Sequence, residues 1–172
     1  MTMMVAMVVA GALLACSDES ATTQPTDVAA AAAHPHTGTV NGLTKAVRGA
    51  TARYNSTAQA LNAGYAPDDH CVPGMGFHWV NMSLVDPVFD PLAPEVVIYA
   101  SDGTGGLRLV AVEYVVIDVG QPRPDYAGRL FDIGGTPVPV PHWSQHVWLY
   151  EENPDGVLTN FNATVVCAGS PG

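Results

Sequence analysis

Two histidines and one glutamate stand in this sequence where apolar residues are expected. Glu113 lies in the middle of LRLVAVEYVVIDV (Leu107–Val119), a β-branched run whose alternating faces are both apolar. Val110, Val112, Tyr114 and Val116 make one face, while Leu109, Ala111, Val115 and Ile117 share the other with Glu113. A strand apolar on both sides is covered on both sides. A carboxylate there is costly unless it is paired, hydrogen-bonded, protonated or bound to a metal. His146 opens HVWLY, on one face with Trp148 and Tyr150, while Val147 and Leu149 point the other way. His78 alternates in the same manner between Phe77 and Trp79 in GMGFHWVN. Brought together, His78, Glu113 and His146 make a two-histidine, one-carboxylate set. Such a set holds a divalent transition metal and leaves coordination positions for water or substrate. His70 and His142 are secondary candidates for the same site.

A network without metal would satisfy the same residues. A Glu–His or Glu–Tyr hydrogen bond, or an ion pair of Glu113 with Arg108 or Arg129, would compensate the carboxylate. Bound small molecules could use the same polar groups. The other patterns carry less chemistry. HWSQH (His142–His146) has two histidines four apart, but Trp143 stands where a zinc protease needs its glutamate. On a strand that pair is also about 13 Å apart. SDGTGG (Ser101–Gly106) joins two strands and does not open a helix, so it is no phosphate cradle. Asp86-Pro87 and Asp90-Pro91 are turn chemistry.

These residues need elements to hold them. Leu43, Val47, Ala50, Tyr54, Ala58 and Leu61 fall at spacings of three and four, which predicts a helix over Val40–Ala63. Gly64 is placed to end it and Pro67 prevents its resumption. Strands are predicted at Glu95–Ala100, Leu107–Val119, Gln145–Glu151 and Asn162–Cys167, the first two as an antiparallel hairpin. Residues 120–141 carry five prolines, which lack a ladder donor, and so read as a long loop or edge segment. The expected class is α+β: an N-terminal helix packed on a mostly antiparallel β-sheet or open barrel.

Charge and cysteines narrow the setting. Sixteen acidic against six basic residues, net −10, would repel nucleic acid, and the scattered Lys/Arg form no basic face for anionic lipid. Residues 1–15 read as a signal peptide: the apolar run from Met3 to Ala15 is too short to span a bilayer. Residues 16–38 are small, polar and alanine-rich and read as a flexible tether, leaving 39–172 as one folded domain. Cys71 and Cys167, in an oxidising compartment, are expected to form a disulfide.

Leu13-Leu14-Ala15-Cys16 resembles the bacterial lipobox, which implies lipid on Cys16, attachment to the membrane and a place on the extracytoplasmic side of the bacterial cell envelope. The order of ALNAGY, GMGFHWVN, PEVVIYA, LVAVEYVV, HVWLY, NPDG and a terminal cysteine is similar to an uncharacterised group of secreted bacterial proteins. That resemblance implies domain limits and no chemistry. Three functions fit: a lipid-anchored domain that binds a metal or small molecule, a metal-dependent oxygenase or hydrolase using the same cluster, and a structural or interaction domain without a pocket.

Overall fold

The computed structural model describes residues 39–135 and 138–167. The expected signal peptide, Cys16 and the tether therefore lie outside the described residues. Among the described residues no helix is long and apolar enough to cross a membrane.

The fold is α+β. A helix α1 (Val40–Thr51), a 3-10 turn (Ala52–Asn55) and a short helix α2 (Thr57–Asn62) precede the strands. The strands are β1 (Cys71–Val72), β2 (Gly76–Val80), β3 (Val96–Ser101), β4 (Leu107–Ile117), β5 (Asp125–Tyr126), β6 (Arg129–Leu130), β7 (Asp132–Ile133) and β8 (His142–Trp148). Six of them form one antiparallel sheet in the order β1-β2-β3-β4-β8-β7, curled into half a barrel, and β5 pairs with β6.

The predicted single helix is interrupted. Thr39 caps α1 by accepting a hydrogen bond from Gly42 N. Ser56 then takes an extended conformation (φ −92°, ψ 114°), which breaks the helical path before α2. Val47 and Tyr54 are buried as the spacing predicts, but Ala60 replaces Leu61 at the interface, and Leu61 is exposed. Gly64 ends α2 at φ 97°, as expected of a left-handed cap.

The helical segment covers one face of the sheet. Val47, Tyr54, Ala60 and Tyr65 pack with Val97, Tyr99, Val112, Tyr114, Val116, Val147 and Leu149. The opposite face buries Val96, Ile98, Val110, Ala111, Val115 and Trp148 with Val138 and Val165. One detail departs from simple alternation. Ile98 pairs with Ala111 but Tyr99 pairs with Leu109, so Val110 is an extra residue in β4. This bulge puts Val110 and Ala111 on the same side. Leu109 accordingly joins the helix-covered core, and Val110 the other, the reverse of the alternation read from the sequence.

Two strand limits also shift. β8 begins at His142, directly after Pro141, and ends at Trp148. The predicted strand Asn162–Cys167 is not one. Asn162 instead builds a turn, accepting Thr164 N on its side-chain oxygen and Val165 N on its carbonyl. The β-branched residues there serve burial: Val165 is 1% exposed. The segment is tied by main-chain bonds to Gly74 and by the disulfide Cys71–Cys167, which joins residues 96 positions apart.

Gly76, which opens β2, is the tightest backbone approach on the sheet. Its φ is 102°, and a Cβ there would lie 2.3 Å from the carbonyl oxygen of Tyr99. Gly76→Ala is expected to cost about 2–4 kcal/mol of stability, from left-handed strain plus overpacking. Urea denaturation of the variant measures it, and a wild-type midpoint would refute the close approach.

Candidate metal centre

Sheet order, not sequence spacing, brings the three residues together. His146 on β8 is the register partner of Glu113 on β4. Glu113 is also opposite Val96 on β3, and His78 on β2 is opposite Ile98. His78 therefore stands two strands from Glu113, a lateral separation of roughly 10 Å between backbones. Two long side chains on one face close that distance.

The resulting geometry is compact. Each residue offers a donor atom, and the three donors lie within 4.8 Å of one another. His78 Nε2 is 3.4 Å from His146 Nε2 and 3.8 Å from Glu113 Oε2; His146 Nδ1 is 3.9 Å from Glu113 Oε1. The last two separations are too long for hydrogen bonds. Side-chain exposures are 6% for His78, 7% for Glu113 and 4% for His146. Trp148 stacks on the His146 ring, with centroids 6.4 Å apart.

Burial governs the electrostatics. It raises the Glu113 carboxyl, against the opposing pull of His78, a hydrogen bond from Ser144, and His142. It lowers His146 to about 4, opposed by Asp132. It lowers His78 too, with Glu113 opposing and His146 reinforcing the shift. All three shifts favour an uncharged cluster. Desolvation outweighs the mutual attraction of the charged forms, as expected when pairs are close but not bonded.

The arginine pairs open to Glu113 on sequence grounds do not form. Arg108 is paired with Glu151, and Arg129 donates to Asp132 at 2.8 Å. Among the described residues, Glu113 Oε2 and His146 Nδ1 are buried without a hydrogen-bond partner. Buried polar atoms left in this state are uncommon and ask for an explanation. A metal ion supplies one. Ligands at about 2.0–2.1 Å in tetrahedral array sit about 3.3 Å apart, and the three donors, one atom from each residue, lie within 4.8 Å of one another, so binding would draw them together.

The secondary candidates separate. His70 is exposed, with its main-chain N–H on Asp68 Oδ1, and takes no part in the cluster. His142 is buried on the same face of β8 as His146 and Ser144, but its Nδ1 donates to the Val140 carbonyl at 2.6 Å. It is a neighbour of the site and not one of the three close donors.

Two residues with a bearing on the site are missed by the sequence reading. Ser144 is an ordinary polar residue in the sequence, and only the β4–β8 register, where it faces Val115, puts it beside Glu113. Glu95 is a second buried carboxylate, 1% exposed, whose Oε2 accepts the Val115 N–H at 2.9 Å. The sequence signal for Glu95 is faint: it follows Pro94 at a strand's margin, where acidic residues are common.

No protein-family model, curated protein or solved structure matches this chain.

Proposed function

We propose that this domain binds a divalent transition metal through His78, Glu113 and His146, in a protein held by lipid on Cys16 at the extracytoplasmic side of a bacterial membrane. The observation that carries the reading is the convergence of three donors, two of them with unpartnered buried atoms, on a largely apolar face. Two imidazoles with one carboxylate suit zinc, copper, iron or nickel better than calcium or magnesium. The lipobox-like Leu13–Cys16 supports the anchor and the disulfide supports an oxidising compartment.

Three protein donors leave coordination positions open, which is what the oxygenase or hydrolase reading requires. Burial weighs against turnover of a sizeable substrate. Two surface grooves among the described residues, of 480 Å³ and 340 Å³, are lined by other residues, among them Arg108 and Thr164 in one and Arg48 and Glu152 in the other. Binding is thus the better supported function.

Protein isolated without an affinity tag from a bacterial envelope is expected to carry a stoichiometric transition metal, read by elemental analysis. A correctly folded, disulfide-bonded protein that carries none and takes up none from added Zn(II) would overturn the reading in favour of a structural domain.

A further inference from the structure

A buried metal site needs a way in, and the two sides of the sheet offer a cation different things. Two partly exposed carboxylates act on the paired histidines from opposite directions. Asp68 favours the charged form of His78, and Asp132 that of His146. Asp132 lies on β7, and its register partner on β8 is Ser144, two residues from His146, so it shares their face of the sheet. Its charge is already held. Arg129 Nη2 is 2.8 Å from one carboxylate oxygen and Arg123 Nη2 is 3.9 Å from the other. A cation arriving there meets two guanidiniums beside one carboxylate.

Asp68 lies on the side of β2 away from β3, just before β1. Ala66 N donates to the Val80 carbonyl, and the two residues form an antiparallel bridge. Between that bridge and the Cys71–Phe77 pair, residues 67–70 run past His78 and Trp79 outside any ladder. Two residues on from Ala66 and two back from Val80 set Asp68 beside His78 on one face. Packing agrees: Tyr65 belongs to the helix-covered core and Val80 packs on the donor side, so alternation from Tyr65 turns Asp68 to the donor side. Among the described residues Asp68 forms no ion pair. Its Oδ1 accepts the main-chain N–H of His70 at 2.9 Å. It is half-buried, whereas His78 is 5% exposed. An uncompensated carboxylate thus stands between solvent and the first donor of a cluster whose Glu113 Oε2 and His146 Nδ1 lack partners.

We propose that Asp68 is the entry ligand of the metal centre: a divalent cation reaches the cluster on the His78 side, held in transit by the Asp68 carboxylate. The inference rests on the metal-binding reading above. Asp68 is not one of the three close donors, so it meets the ion in passage and not at rest. A group of that kind lowers the barrier in both directions. It speeds uptake and release alike and leaves Kd nearly unchanged. Charge at the mouth of a site raises association rates by about 10- to 1000-fold in favourable cases, and salt screens the effect. The chain's net charge of −10 draws cations to the whole surface, so a neighbouring carboxylate is the proper control.

The experiment mixes the metal-free, full-length protein with Zn(II) in a stopped-flow instrument, with a chromophoric indicator for free zinc, and follows release into excess chelator. Asp68→Asn keeps the acceptor for the His70 N–H and removes the charge. It is expected to slow uptake and release together by roughly fivefold or more at low ionic strength. The gap narrows in about 0.5 M salt, and Kd and the absorption spectrum of the Co(II)-loaded protein stay as in the wild type. Asp68→Glu is expected to recover most of the rate. Asp69→Asn, the same charge change at the next, exposed residue, is expected to keep it. Uptake by Asp68→Asn at the wild-type rate overturns the entry role and leaves the metal site standing. Faster release with a shifted Co(II) spectrum also overturns it, because Asp68 would then be a resident ligand. Equal slowing by Asp69→Asn does so too, since general charge and not position would set the rate. Failure of the wild type to take up Zn(II) overturns the metal-binding reading and the entry role together.

Discussion

Glu113→Gln is expected to abolish metal binding while leaving the metal-free protein folded with a near-native melting temperature. The amide keeps the shape of the side chain and its capacity for a hydrogen bond from Ser144, but it offers no anionic oxygen to a metal. In the metal-free protein burial raises the Glu113 carboxyl and so works toward its neutral form, and a neutral amide goes in the same direction. It also strands no cation, because Arg108 and Arg129 are paired elsewhere. Metal added to the wild type at a hundred times its Kd stabilises it by about 2.7 kcal/mol, which is a rise of roughly 10 °C for a domain of this size. The variant is expected to show no such rise. His78→Gln and His146→Gln are expected to behave in the same way, since the three donors form one site. Differential scanning calorimetry with and without Zn(II) reads both quantities. A large fall in the metal-free melting temperature, with no effect of zinc on the wild type, would assign the cluster a structural role. Breaking a buried network matched to a carboxylate costs about 3–5 kcal/mol.

The inward-facing residues were legible in the sequence because period-two alternation is local. The apolar run around Glu113 shows on its own that both faces are covered, and His146 and His78 are marked by their aromatic and aliphatic neighbours. Their meeting was an expectation that only pairing order could decide. Nothing in GMGFHWVN says that β2 lies two strands from β4, or that β8 lies on β4's other side; that is fixed by non-local ladders. The bulge at Val110 is likewise invisible, because no glycine or proline marks it and its origin is the mismatch between the Ile98–Ala111 and Tyr99–Leu109 pairs. The helix break had a local sign in Ser56-Thr57, a capping pair inside an otherwise periodic stretch. The last predicted strand failed for a different reason. β-branched composition reports burial on a pleated surface as much as it reports ladder formation, and Val165 achieves its burial from a turn.

The second buried carboxylate gives the largest expected effect on stability. Burial pushes Glu95 up from its ordinary 4.5 to about 8, with Asp86 and Glu113 adding to the shift against hydrogen bonds from the Val115 N–H and its own N–H. A raised carboxyl binds a proton in the native state that the unfolded chain has already released. Between pH 4.5 and 8 the unfolded state therefore binds fewer protons, and stability falls as pH rises. Each pH unit in that window costs up to about 1.4 kcal/mol. The lowered histidines His78 and His146 act in the opposite sense below their ordinary 6.5, so the wild-type profile alone would mix the two. Comparison with Glu95→Gln removes the mixing, because both histidines are present in both proteins. The glutamine keeps an acceptor for the Val115 N–H and carries no titratable proton. The variant is expected to differ from the wild type by less than about 1 kcal/mol at pH 5, and to be the more stable by about 4–5 kcal/mol at pH 8. Urea denaturation of the metal-free proteins at a series of pH values measures the difference. A gap that does not widen with pH would mean that Glu95 is ionised in the native state, with the Val115 N–H and the surrounding main chain stabilising the charge in full.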